Sequence, residues 1–235
     1  MRLQVFLSHN GVASRRKAMT IIQEGRVRVN ETVISEPSFD VDPKKDRVFV
    51  DEKRIGVKRH QYIMLNKPKG YLTTKADAHA EKTVYDLLPP KYHHLSPVGR
   101  LDKDTEGLLL FTNDGEMLYR LTHPKFNLDK VYHVEVRGVL DEKAKQKIEK
   151  GIYVGPQKTA PAQFRNVRRK KISTEFFLTI HEGKKRQIRI MFAIFKLPVM
   201  YLQRVAHGPI KLKQLALGYH RELTSDEIGQ LQGIE

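Results

Sequence analysis

Apolar positions recur at two periods along this chain, and the change of period divides it. Leu3, Phe6 and Leu7 repeat at helical spacing until Gly11-Val12-Ala13 interrupts them. Ser14 then stands where a cap is needed for a second helix, whose apolar face is Ala18, Ile21 and Ile22, and Gly25 suits its left-handed stop. From Arg26 to Asn30 the pattern becomes strict alternation, which puts Val27 and Val29 on one face of a strand and Arg26 and Arg28 on the other. These elements predict a small unit over residues 1–58. Residues 51–60 lack a long apolar face and contain Gly56, so the linker is expected there.

The remainder, 60–235, mixes both periods. Runs at 62–65, 108–111, 132–136, 176–180 and 200–205 predict strands, and 116–121, 142–150 and 187–195 predict helices, the second of them capped by Asp141 and stopped by Gly151. Several strands are too closely linked for helical crossovers. The expected class is therefore α+β, with a mixed, largely antiparallel sheet.

Composition narrows the partners. A chain of 235 residues has room for one sizeable core and a small satellite domain. Its 43 Lys and Arg against 27 Asp and Glu leave a formal net charge of +16, which favours nucleic acid or another anionic surface. No apolar run approaches a membrane span and no signal-peptide pattern is visible, so a cytoplasmic protein with no membrane partner is expected. The absence of cysteine excludes disulfides and thiolate metal sites, and the ten histidines lack metal-ligand spacing, so no metal is expected.

The cations are unevenly placed. Arg15, Arg16 and Lys17 open the second helix, with Lys17 where a capping box has Glu, and three cations in a first turn oppose the helix dipole. Binding an anion offsets that penalty, and Arg26 and Arg28 are expected to join them in one phosphate-facing patch. A second run, Arg165, Arg168, Arg169, Lys170 and Lys171, reads by itself as an exposed, solvated loop and is not assigned to a site.

Candidate chemistry centres on Gly99-Arg100-Leu101-Asp102-Lys103-Asp104-Thr105-Glu106-Gly107, which runs into an apolar strand. A carboxylate there loses hydration, which raises its pKa unless a cation or hydrogen-bond donors keep it ionised, so Asp102 needs a partner. A calcium loop is excluded, because Asn113 stands where its bidentate Glu is required and Leu108 to Phe111 occupy ligand positions. Lys67-Pro68-Lys69-Gly70 reads as a turn after the 62–65 strand. It lacks the earlier glycine and following Ser or Thr of a P-loop, so ATP is not implied.

Gly99 to Gly107 resembles the signature of the ribosomal RNA pseudouridine synthases of the RsuA type. Three further blocks agree in order: Lys67-Pro68-Lys69-Gly70-Tyr71, Lys130-Val131-Tyr132-His133-Val134 and Glu182-Gly183-Lys184-Lys185-Arg186-Gln187-Ile188-Arg189. Gly11-Val12-Ala13-Ser14-Arg15-Arg16-Lys17-Ala18 and Gly25-Arg26-Val27-Arg28-Val29-Asn30 resemble an S4 RNA-binding domain. The resemblance implies an S4-like domain over 1–58 and a pseudouridine synthase domain over 60–235, with a cleft across its sheet. It implies site-specific isomerisation of uridine in ribosomal RNA, the large subunit preferred over the small. The reaction involves no redox change and no net loss of atoms, so it needs no cofactor.

By the same resemblance, Asp102 is the essential carboxylate at ribose C1′, where losing the base leaves positive charge on the sugar. Tyr132 stacks on uracil and helps to remove the C5 proton. Arg189 pairs with Asp102, although Arg186, three residues earlier, is geometrically eligible too. The family often carries a second basic residue after Arg189. Here it is Ile190, a departure that puts one RNA contact in doubt. Arg100 is expected to fill the space left by an extruded nucleotide or to hold its phosphate. Lys67, Lys69 and Arg186 are expected RNA contacts, alongside Arg15, Arg16, Lys17, Arg26 and Arg28. The implied partner is ribosomal RNA or a ribosomal precursor particle, engaged by a monomer. Two other readings compete: a noncatalytic RNA-binding or ribosome-assembly factor retaining the fold, and a metal-dependent nuclease, which predicts RNA cleavage abolished by chelation. The presence of Asp102, Tyr132 and Arg189 together favours the synthase.

Overall fold

Helical spacing at the N-terminus becomes α1 (Leu3–His9) and α2 (Arg15–Gln23), joined by the Gly11 break. Ser14 Oγ accepts the Lys17 backbone N–H at 3.3 Å, and Gly25 takes φ +70°. The cap therefore forms with a lysine in the capping-box position. The strands β1 (Val27–Val29), β2 (Thr32–Ile34), β3 (Val48–Val50) and β4 (Lys53–Ile55) make an antiparallel sheet in the order β2-β1-β3-β4. Leu3, Phe6, Leu7, Ile22, Val27 and Val48 close its core, as the alternation required.

This structure is a computed structural model that describes residues 1–56, 59–75 and 81–234. Two units separate: Met1–Gln61 with the short segments His94–Ser96 and Thr112–Gly115, and the rest of the chain. The linker expected at 51–60 is corrected: Asp51 and Glu52 turn the chain into β4, which continues the sheet, and positions 57 and 58 lie outside the described residues.

The larger unit is built on a sheet of β5 (Tyr62–Lys67), β6 (Ser96–Pro97), β7 (Glu106–Thr112), β8 (Lys130–Arg137), β11 (Gln163–Arg169), β12 (Ser173–Ile180), β13 (Val199–His207), β14 (Ile210–Lys211) and β15 (His220–Glu222). A separate small hairpin pairs β9 (Tyr153–Val154) with β10 (Gln157–Lys158). The main order is β11-β12-β8-β13-β7-β5-β15. Antiparallel pairing joins β11, β12, β8 and β13 in turn, whereas β13 and β7 run parallel. The mixed, largely antiparallel sheet is as expected. Its helices are α3 (Gly115–Thr122), α4 (Glu142–Glu149), α5 (Gln187–Ile194) and α6 (Ser225–Gln232). Asp141 caps α4 by accepting from Ala144 N at 2.6 Å, and Gly151 follows it at φ +81°.

Two features position the site. Along β8, Tyr132, Val134 and Val136 are buried while His133 and Glu135 lie half-buried on the opposite face. At Gly107, φ is +106° and a Cβ would stand 2.2 Å from the Arg204 carbonyl oxygen of β13. Only glycine lets the two parallel strands approach there, which gives the last residue of the Gly99 to Gly107 string a packing reason.

The basic run at 165–171 is corrected as well and is not a loop: Arg165, Arg168 and Arg169 lie on the edge strand β11, and Lys170 and Lys171 lie in the turn to β12. An edge strand with almost every position exposed carries no alternation of burial, so period two was invisible in it.

Candidate active site

The segment 101–105 leaves the sheet between Gly99 and β7, and its backbone is held at every step. Thr73 Oγ1 donates to the Leu101 carbonyl at 2.8 Å. Lys67 Nζ donates to the carbonyls of Asp102 (3.1 Å), Lys103 (3.4 Å), Thr105 (2.9 Å) and Pro68 (3.1 Å), spreading three N–H donors over four acceptors. Gly70 N donates to Lys103 O at 2.8 Å, and Arg189 Nη2 donates to Asp104 O at 2.8 Å. Five consecutive carbonyls thus have partners drawn from the 67–73 turn and from α5. Among the described residues none donates to the Asp102 carboxylate, which faces a recess of about 230 Å³.

That recess is lined on one side by Arg100, Leu101, Asp102 and Thr105 and on the other by Tyr132, Ile180 and Leu202 from the sheet. Lys184, Lys185 and Arg186, ahead of α5, complete its rim. Gln187, 4% exposed, fixes that turn: its Oε1 accepts from Lys184 N at 3.1 Å and its Nε2 donates to Glu182. A half-buried carboxylate, a largely buried tyrosine and a ring of cations therefore share one cavity. Such a set binds an anionic ligand and offers it an acid, a phenol and a flat apolar wall.

Two expected roles change. Lys67 is fully buried, so it reaches no phosphate; its ammonium caps the loop from beneath. Burial pushes its pKa down to about 8, against the upward pull of Asp104, Asp102 and Glu106. Arg189 pairs with Asp104 rather than Asp102. Its Nε lies 3.1 Å from Asp104 Oδ2 but outside hydrogen-bonding geometry, so that contact is electrostatic, and its Nη1 donates to Val199 O at 3.1 Å. Arg186 grips the same Asp104 carboxylate at 3.1 and 3.3 Å. The second acid of the D-x-D pair thus holds both arginines, because the loop turns its side chain towards α5.

The remaining cations divide sharply. Arg100 is exposed at the recess, and Lys69 is exposed with Nζ 3.9 Å from Glu106. In the N-terminal unit Arg15, Arg16 and Lys17 are exposed. Arg26 instead binds Asp51 through two hydrogen bonds at 2.8 and 2.5 Å, and Arg28 pairs with Glu52 at 3.0 Å while its guanidinium lies 4.1 Å from the Phe49 ring centre. The expected five-cation patch is therefore split by carboxylates of the β3–β4 turn. Ile190 is 40% exposed on α5.

Sequence reading missed Thr73, Asp104 and Arg204. Arg204 is 2% exposed, registers against Tyr132, and donates Nε–H to Leu108 O at 2.8 Å. For Lys67 a signal existed: it ends the run Tyr62-Ile63-Met64-Leu65-Asn66, a strand buried along its whole length.

Residues 61–194 match the family model described as RNA pseudouridylate synthase, and residues 1–48 match the S4 domain. An uncharacterised RNA pseudouridine synthase of Aquifex aeolicus is 42% identical over 98% of this chain and 93% of its own length. Ribosomal large subunit pseudouridine synthase B of Bacillus subtilis is 39% identical over 99% of this chain and 96% of its own. A crystal structure described as pseudouridylate synthase superposes with a TM-score of 0.70 at 30% identity, covering 98% of this chain and 99% of that one.

Proposed function

This chain belongs to the RNA pseudouridine synthase family and is an RNA isomerase that converts uridine to pseudouridine, and from that premise we propose that its substrate is a specific uridine of large-subunit ribosomal RNA, with Asp102 as the reacting carboxylate. The observation that carries the assignment of Asp102 is the clamped loop: five carbonyls tied down, and one carboxylate left unengaged over a recess lined by Tyr132. Large-subunit RNA is favoured by the full-length similarity to the Bacillus subtilis protein named for that substrate.

The reaction breaks the bond from C1′ to N1, turns the uracil, joins C5 to C1′ and moves the C5 proton off the base. Asp102 acts at the sugar, either attacking C1′ or taking a ribose proton, and in both cases its negative charge offsets the positive charge that develops there. Tyr132 lies beside the base and assists removal of the C5 proton. Asp102 and Tyr132 lie within a recess, so the target leaves its stack to reach them, and Arg100 contacts the strand it vacates. Arg189 is a positioning residue here, acting through Asp104 and its carbonyl. Arg186 meets the RNA backbone at the rim, whereas Lys69, paired with Glu106 and set over the Tyr201 ring, does not line the recess. Arg15, Arg16 and Lys17 of the domain over 1–58 bind phosphate elsewhere on the RNA, Arg26 and Arg28 contributing only on release from their carboxylates. The domain over 60–235 acts as a monomer in the cytoplasm, on ribosomal RNA or on a precursor particle.

Tritium release from 5-tritiated uridine tests this reading, using separate large-subunit and small-subunit transcripts and ribosomal precursor particles. Release from the large-subunit substrate by wild type, and none by Asp102→Asn, is expected. Release from the small-subunit substrate alone overturns the target, and full activity of the variant overturns the role of Asp102.

A further inference from the structure

The face of the sheet opposite Tyr132 carries a row of rings that the reaction above does not use. His133 stacks on Phe177 with ring centres 5.0 Å apart and planes 22° apart, and Tyr201 meets the same imidazole edge-on at 5.3 Å. Lys69 Nζ lies 5.4 Å from the Tyr201 ring centre. Beside this row the edge strand β11 breaks register between Arg165 and Arg168, where Asn166 takes φ +53°. A recess of about 250 Å³ opens at the bulge, lined by His133, Asn166, Arg168, Glu175, Phe176 and Phe177.

Charge around the recess is sorted. The two carboxylates nearest the recess are already paired: Lys170 binds Glu135 at 3.1 Å and Glu175 at 2.7 Å, and His133 Nε2 is 2.6 Å from Glu175. Arg165, Arg168, Arg169 and Lys171 are exposed, and among the described residues none has an acidic partner. Four uncommitted cations in one hairpin carry a strong positive field. Protection of a sheet edge explains charges there. It accounts for the bulge as well, but not for the stacked rings that line the recess beside it.

We infer that this face is a second RNA-contact surface, in which the β11–β12 hairpin cations hold a single-stranded backbone and an unpaired base enters the recess against the His133–Phe177 stack. Sheet-face aromatics with flanking cations hold unpaired RNA in this way. In the recess Asn166 offers an amide to the edge of the base, and Arg168 stands beside it for the phosphate that follows. Tyr132 and His133 are neighbours on β8 and point to opposite faces, so RNA gripped here is held close to the strand that carries the cleft. The inference rests on the chain acting on RNA, and it adds a place where flanking nucleotides bind.

The test uses Arg165→Ala/Arg168→Ala and Phe177→Leu, each confirmed folded by circular dichroism. Binding of a short unstructured oligonucleotide carrying 2-aminopurine is titrated over a range of salt, and tritium release is measured at saturating large-subunit transcript. The double variant is expected to reduce the slope of log affinity against log salt by about 1.4, since each phosphate contact to a single strand contributes about 0.7. Phe177→Leu is expected to abolish 2-aminopurine quenching and weaken binding about tenfold. Turnover at saturation stays within about twofold of wild type, because neither change touches the cleft. An unchanged slope together with unchanged quenching overturns the inference. If wild type releases no tritium from the transcript while slope and quenching still fall in the variants, the surface stands and the proposed target is what fails.

Discussion

The loop at Asp102 and the start of α2 are both rich in charge, yet they use it in opposite directions. In the loop, Lys67 and Arg189 turn inward and bind backbone carbonyls, leaving one carboxylate unengaged. At α2, Arg15, Arg16 and Lys17 point outward from a helix start whose dipole they oppose. The first region uses cations to fix geometry, and the second exposes them to an anion. A net charge of +16 counts both kinds alike.

Exchanging the free acid of the first region has the largest expected effect. Asp102→Asn is expected to lower turnover about a thousandfold or more with RNA affinity within about twofold of wild type, measured by single-turnover tritium release and fluorescence anisotropy. Removing the shape beneath the loop comes next. Gly107→Ala places a methyl group against the Arg204 backbone at a positive φ. It should cost about 3 kcal/mol in urea denaturation, from overpacking and backbone strain together.

Lys67 sharpens the contrast through pH. Its folded pKa, about 8, lies below the ordinary 10.5, so between these values the unfolded chain holds the proton that the folded chain has lost. Buried charge therefore detracts from stability below pH 8, and this penalty fades as pH rises towards 10.5. Activity runs the other way, because the neutral amine is a weaker donor to the loop carbonyls. Wild type should lose activity above about pH 8, and Lys67→Met should be about 10- to 100-fold slower with that alkaline limb absent. A matching limb in the variant would falsify this role for Lys67.

The smallest effects belong to the second region. Arg15→Ala/Arg16→Ala should reduce the salt dependence of RNA binding by about two contacts and slightly raise thermal stability, because two charges opposing the helix dipole are removed. Arg26→Ala/Arg28→Ala should change the salt dependence less, since both side chains are held by carboxylates, and should lower the melting temperature through lost packing on Phe49.

Much of this architecture was legible because single residues carry local rules. Ser14 and Asp141 cap the helices they precede, and the alternation at Val27 and Val29 fills a core. The members of the cleft were legible too: Asp102 and Tyr132 are far apart in sequence and line one recess. Direction was not legible. Whether Arg189 reaches Asp102 or Asp104 depends on how the loop turns over α5, and no spacing encodes that turn. Lys67 looked like a phosphate ligand although it ends an apolar run, because the carbonyls that take its ammonium lie more than thirty residues away. The edge strand β11 was hidden because its side chains are exposed on both faces, which erases the period that marks a strand.

Asp102 and Asp104 stand two residues apart on one loop and are assigned different work, one at the substrate and one holding Arg186 and Arg189. Single-turnover tritium release by Asp102→Asn and Asp104→Asn, side by side at saturating large-subunit transcript, tests that division most directly. Near-complete loss is expected at position 102 and a loss of about 10- to 100-fold at position 104, where only positioning is disturbed. Retained turnover in Asp102→Asn, or equal and complete loss in both, contradicts the division.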